Sequence, residues 1–168
     1  YTEAVRDVLK EVAETGLKVN YPSGYKMSIE SAAMMILRTG ISQATGDIAI
    51  ERMKEMDWDI ILVSSHLGAR VGDGGQNPGN HSWWQGKFYS RTGKDKRFPS
   101  FSETGYGTIT GLCGVNCRHS FGSGDGKNNP FEQYDMEENR KVYEKQQRQR
   151  ALERRVRDTK RKIQNMQT

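Results

Sequence analysis

His66, His81, His119, Cys113 and Cys117 are all the histidines and cysteines of this 168-residue chain. All five fall in one stretch that is rich in glycine and poor in aliphatic residues. Thiolates from Cys113 and Cys117, with neutral imidazoles from His66, His81 and His119, make a donor set suited to Zn²⁺. A loop-rich segment gains much of its order from such a tie. The spacing from Cys113 to Cys117 and His119 is not a zinc-finger spacing, and the other ligands lie far along the chain. The competing reading makes the two cysteines small buried hydrophobes and gives the histidines to loop backbone groups.

The same residues admit a catalytic reading. His66 and His81 could serve as general base and acid, with Arg70 or Arg118 stabilising a phosphorane, as in a metal-free ribonuclease. Cys117 with a remote histidine could form a nucleophile pair. Cys117 with His119 alone is a poor pair, because two positions apart on a strand leaves little reach. No third group that would orient the base is recognisable.

Two look-alike motifs fail on inspection. Gly124-Asp125-Gly126-Lys127 has Phe121 where a phosphate loop needs its first glycine, and Asn128 where it needs Ser or Thr. As a calcium loop, Asp125 to Asn129 places Lys127 at the third ligand position. The aromatics Trp83, Trp84, Phe88, Tyr89, Phe98, Phe101 and Tyr106 lie among Lys87, Arg91, Lys94, Lys96 and Arg97. Such interleaving suits stacking on single-stranded nucleic acid. It suits the core of a small domain with snorkelling cations better.

The elements that must position these residues can be read from spacing. Val5, Val8, Leu9 and Val12 recur at helical intervals, closed by Gly16. The turn Tyr21-Pro22-Ser23-Gly24-Tyr25 joins either two short strands or two helices. Ser28 caps a helix running toward Met53, interrupted by Gly40 and Gly46, which suggest close packing or a bend. The stretch 59–65 is the best strand, and 85–89 is a second, shorter one. From Glu132 to Gln167 one helix is expected, without Gly or Pro. Leu152, Val156, Thr159, Ile163 and Met166 form a short coiled-coil-like seam along it.

Composition bounds the class. Hydrophobic residues are 34%, charged residues 28%, and no apolar run is long enough for a membrane span. Eighteen glycines and four prolines with two cysteines exclude collagen-like and disulfide-framework chains. The net charge of +5 divides unevenly, with +8 over residues 140–168 and −3 over the rest. Arg148, Arg150, Arg154, Arg155, Arg157 and Arg161 can therefore neutralise phosphates or dock on an acidic protein surface. The sequence starts at Tyr1 in helical pattern, so it reads as a piece of a longer chain without a signal peptide, made in a reducing cytosol.

The order of local motifs resembles the phage minor capsid protein 2 family, a divergent relative of the Mu-type minor head proteins. The stretches that carry the resemblance are Arg38-Thr39-Gly40-Ile41-Ser42-Gln43-Ala44-Thr45-Gly46 and Val63-Ser64-Ser65-His66-Leu67-Gly68-Ala69-Arg70. Trp84-Gln85-Gly86-Lys87-Phe88-Tyr89-Ser90 and Thr104-Gly105-Tyr106-Gly107 follow. Gly111-Leu112-Cys113-Gly114-Val115-Asn116-Cys117-Arg118-His119 is the most specific stretch. Gln147-Arg148-Gln149-Arg150-Ala151-Leu152-Glu153-Arg154 ends the series. The Gly-rich segment Val71 to Asn80 departs from the pattern and loosens the spacing between His66 and His81.

The resemblance implies a virion structural protein, made in the host bacterial cytoplasm and placed in few copies at the portal end of the head. Its partners would be capsid or portal proteins, with packaged DNA or self-association through the C-terminal helix as further contacts. No catalytic residue is carried over with it; the alternative is a nuclease or toxin-type domain using His66, His81 and Arg118. The expected fold is α+β: N-terminal helices on a small, mostly antiparallel sheet with long Gly-rich loops, and a long C-terminal helix. Residues 1–131 are expected to form the minor-head-like domain and residues 132–168 the basic helix. Zn²⁺ is the one cofactor the residues suggest. The loop Val71 to Asn80, lacking an apolar anchor, is expected to be dispensable for folding.

Overall fold

The computed structural model describes residues 3, 6, 7 and 16–166, with side chains through residue 164. Glu3, Arg6 and Asp7 are helical, and the opening helix's apolar residues Val5, Val8, Leu9 and Val12 lie outside the described residues. In chain order the elements are β1 (Lys18–Asn20), β2 (Lys26–Ser28), α1 (Ile29–Glu55), β3 (Ile60–Val63), α2 (His81–Trp84), β4 (Phe88–Ser90), a 3₁₀ turn (Phe101–Thr104), β5 (Phe121–Ser123) and α3 (Met136–Met166). The class is α+β, with two small antiparallel sheets. Two compact units share the chain: Tyr1–Met34 with Gln146–Thr168, and Met35–Lys145.

In the first unit the 21–25 turn joins two strands. β1 and β2 pair antiparallel, Lys18 opposite Ser28 and Asn20 opposite Lys26. Gly24, at φ +78°, supplies the left-handed residue of the turn, and its N–H donates to the Tyr21 carbonyl at 2.9 Å. Ser28 then caps α1, its Oγ accepting from the Ser31 N–H at 3.3 Å. Arg161 of α3 meets Glu30 of α1 at 3.1 Å in the same unit.

The second unit is built on the sheet β4-β3-β5. The aliphatic run Ile60-Ile61-Leu62-Val63 makes β3 its centre, with β4 and β5 antiparallel on either side. Ile61 and Val63 face a core completed by Met53, Trp84, Tyr89, Phe101, Leu112 and Cys113. The aromatics are therefore mainly core: Trp84, Tyr89 and Phe101 are buried, and Tyr106 and Phe121 pack against them. Gly46 of α1 is where Tyr106 and Phe121 reach the helix. A Cβ there would sit 2.5 Å from the Tyr106 hydroxyl and 3.0 Å from the Phe121 ring. Gly40 has no such reason, since nothing lies within 4 Å of its Cβ position.

The strand expected at 85–89 begins at Phe88, and the helix expected from Glu132 begins at Met136. Asp135 sets that start, its Oδ1 accepting from the Glu137 and Glu138 N–H groups at 2.9 and 3.0 Å. One turn into α3, the carboxamide of Asn139 is buried against the loop that leaves β3. Its Oδ1 accepts from the Gly68 and Ala69 N–H groups, and its Nδ2 donates to the Ala69 carbonyl.

The loop from Val71 to Asn80 is better anchored than its composition suggests. Asp73 Oδ1 accepts from the Gly75 N–H and from Asn77 Nδ2, at 2.9 and 2.7 Å. Asn80, fully buried, donates from Nδ2 to the Gly75 carbonyl. The Pro78 carbonyl accepts from Trp84 Nε1 at 3.0 Å, tying the loop to the core. Polar side chains, not apolar ones, offset the ordering cost here.

Candidate functional site

The sheet and the short helix α2 bring four of the five candidate ligands together. Beyond the β3–β5 register the two chains stay paired, with the Ser64 N–H donating to the Ser120 carbonyl and the Ser120 N–H to Ser64 Oγ, both at 2.9 Å. This sets His66 beside His119, the rings stacked with centroids 4.4 Å apart and planes inclined by 27°. α2 supplies His81, and its last turn leads into Gln85, whose N–H donates to the His81 carbonyl. Trp84 closes the floor, its ring 4.5 Å from His81 and 4.7 Å from His119. Cys117 arrives from the tight turn 111–117, in which Gly114 N–H bonds the Gly111 carbonyl and Cys117 N–H bonds the Gly114 carbonyl. Ligand atoms of His81, Cys117 and His119 all lie within 4.8 Å of one another.

Hydrogen bonds fix which nitrogen of each ring carries the proton. His81 Nε2 is 2.8 Å from the Thr110 carbonyl, which can only accept, so Nε2 is protonated and Nδ1 keeps its lone pair. Gln85 Oε1 accepts from the His66 N–H at 3.0 Å, which orients the carboxamide, and lies 2.9 Å from His119 Nε2. His119 is therefore also the Nε2–H tautomer. Its Nδ1 faces Cys117 Sγ at 3.7 Å.

Burial decides the charge. It pushes the pKa of His119 down to about 2, with coulombic interactions with His66, His81 and Arg70 acting in the same direction. Burial likewise lowers His81 to about 4, against the opposing hydrogen bond to Thr110. Both rings are neutral at pH 7. Burial pushes the Cys117 thiol up, opposed by backbone amides including that of His119 and by the charge of Arg70.

Cys113 and Arg118 stand differently. Cys113 is 2% exposed, in the apolar core at a left-handed φ of +59°, and is not one of the converging atoms. A cavity of about 300 Å³ borders Cys113, Cys117, Arg118 and His119 on one side and Ser42, Thr45 and Gly46 of α1 on the other. Arg118 is exposed at this mouth. His81 is 2% exposed, with Nε2–H committed to the Thr110 carbonyl.

The basic residues of α3 form a second surface. Arg148, Arg154, Arg155 and Arg157 are exposed, Arg150 is half-buried, and Arg161 is engaged with Glu30 and lies 4.0 Å from Asp158. Of the seam, Leu152, Val156 and Ile163 are each half or more exposed, and the Met166 side chain lies outside the described residues. α1 shows the same character, with Ile36, Leu37, Ile41 and Ile48 exposed. No described helix is long and apolar enough to cross a membrane.

Sequence reasoning missed three residues that hold the site. Gln85 and Thr110 set the tautomers, and Asn139 clamps the backbone just before Arg70. Gln85 and Thr110 carry no periodic signal, because one follows a four-residue helix and the other lies in a loop. Asn139 is an uncharged polar residue at the start of a highly charged helix, which is a faint cue at most.

The sequence profile of phage minor capsid protein 2 matches residues 1–168. A "Structural protein" of Lactococcus phage LL-H is 29% identical over 166 residues, covering 92% of this chain and 42% of that protein. The chain thus spans less than half the length of this curated relative. No solved structure matches it.

Proposed function

This chain belongs to the phage minor capsid protein 2 family, and we propose that it works as a virion structural component at the portal end of the head. The observation that carries this reading is the apolar surface on the two long helices. Leu152, Val156 and Ile163 on α3, and Leu37, Ile41 and Ile48 on α1, remain half or more exposed. Exposed apolar rows on these helices call for a protein neighbour. A subunit that works by contact, inside an assembly, has this character.

The neighbour on α3 is a capsid or portal subunit, or a second copy of this chain, with an acidic surface facing Arg154, Arg155 and Arg157. The double change Leu152→Asp, Val156→Asp removes two anchors worth roughly 1.5–3 kcal/mol each when buried. Particles assembled with this variant should contain at least about tenfold less of the protein, with its circular dichroism unchanged. Undiminished incorporation would remove the contact reading. Packaged DNA as the partner would show instead as loss with Arg154→Gln and Arg157→Gln and a steep salt dependence.

A further inference from the structure

We propose that His81, His119 and Cys117 form a binding site for one Zn²⁺ ion, held through both imidazole Nδ1 atoms and the Cys117 thiolate. The inference is independent of which virion neighbour α3 meets. Three features of the geometry carry it.

The first is orientation. Both buried rings spend Nε2–H on fixed oxygens, the Thr110 carbonyl and Gln85 Oε1, which leaves Nδ1 of each as the lone-pair atom. A second hydrogen bond that fixes tautomer and ring angle is what metal-binding histidines require. Gln85 is itself oriented by the His66 N–H, so the support extends one layer further.

The second is distance. In a tetrahedral site with Zn–S about 2.3 Å and Zn–N about 2.05 Å, sulfur and nitrogen lie about 3.6 Å apart. Cys117 Sγ and His119 Nδ1 are 3.7 Å apart. One ring nitrogen of His81 completes a set in which one ligand atom from each residue lies within 4.8 Å of the others, so the widest pair needs to close by about 1.5 Å at most. A side-chain adjustment of that size is ordinary.

The third is access and charge. Cys117 and His119 border the 300 Å³ cavity, which gives the ion an entry path and leaves a fourth position for water. On binding, the ion displaces the thiol proton of Cys117 to solvent. Cys113 is left out, being packed in the core. Two imidazoles and one thiolate suit Zn²⁺ and disfavour Mg²⁺ or Ca²⁺, which take oxygen ligands.

The test uses the full chain, stripped with chelator and titrated with Zn²⁺ against a chromophoric competitor, and with Co²⁺ as an optical reporter. One ion per chain is expected, with a sulfur-to-cobalt charge-transfer band and no response to Mg²⁺. Cys117→Ser should abolish the band, whereas Cys113→Ala should keep it. Gln85→Ala should weaken Zn²⁺ binding about 10–100-fold at unchanged stoichiometry. A folded wild-type chain that takes up no Zn²⁺ overturns the proposal, and so does a band that survives Cys117→Ser. The wild-type titration decides the matter even where a variant fails to fold.

Discussion

The Asn139 carboxamide pairs with the backbone of Ala69 as a strand would: its Nδ2 donates to the Ala69 carbonyl at 2.9 Å, and its Oδ1 accepts from the Ala69 N–H at 2.8 Å. The same Oδ1 takes the Gly68 N–H at 2.8 Å. The start of α3 is thereby locked to the loop that leads from His66 to Arg70. Asn139→Ala strands three buried backbone groups, at a cost of about 2–4 kcal/mol. The melting temperature should fall by roughly 5–15 °C, and Asn139→Asp, which keeps the acceptor but loses the donor, should fall between. A melt within a degree or two of wild type would show that the clamp is incidental.

Two glycines of α1 should respond with opposite signs. Gly46→Ala places a methyl 2.5 Å from the Tyr106 hydroxyl, which donates to Asp47 at 2.6 Å and lies 3.2 Å from the Gln43 carbonyl. Overpacking of this kind costs about 1–3 kcal/mol. Gly40→Ala meets nothing within 4 Å and should stabilise by about 1 kcal/mol. Denaturant midpoints of the two variants check the pair, and a shift in the same direction for both would contradict the packing described.

Replacing Gly72 to Gly79 with a shorter Gly-Ser link should lower stability measurably. The loop contributes the Pro78 carbonyl to Trp84 and the Gly75 carbonyl to buried Asn80. Gly72, at φ +52°, lies so close to the Gly79 carbonyl that a side chain would displace it. An unchanged melting temperature in the shortened chain would return the loop to a passive role.

Asp59 gives stability an acid limb. Burial alone would raise its pKa, but hydrogen bonds from Ser90 and Thr92 and the charge of Arg91 outweigh it and hold it below the usual value. Its contribution is present above the unfolded pKa near 3.9 and is lost as pH falls through the lower folded value. Asp59→Asn should cost about 1 kcal/mol at neutral pH. The two stability curves should converge in acid, and parallel curves down to the lowest pH would refute the assignment.

The fold and the site were legible to different depths, for physical reasons. Ile60 to Val63 declared β3 by aliphatic content, and Ser28 declared its cap, because both signals are local. The convergence of His81 with Cys117 and His119 joins positions 36 and 38 residues apart, which no local spacing encodes. That all the histidines and cysteines share one glycine-rich stretch is visible in the sequence, but the stretch does not choose among them. Asp73, Asn77 and Asn80 hold the backbone of the Val71 to Asn80 loop through polar contacts, which apolar content does not report.

The sheet's outer strands are three residues each, Phe88–Ser90 and Phe121–Ser123. Edges this short offer a stray chain almost no template for backbone pairing. Exposed aliphatic rows such as those on α1 and α3 carry a risk of unwanted association. The rows on α1 and α3 lie on helices, whose backbone groups are already satisfied, so a wrong encounter there stays a reversible side-chain contact.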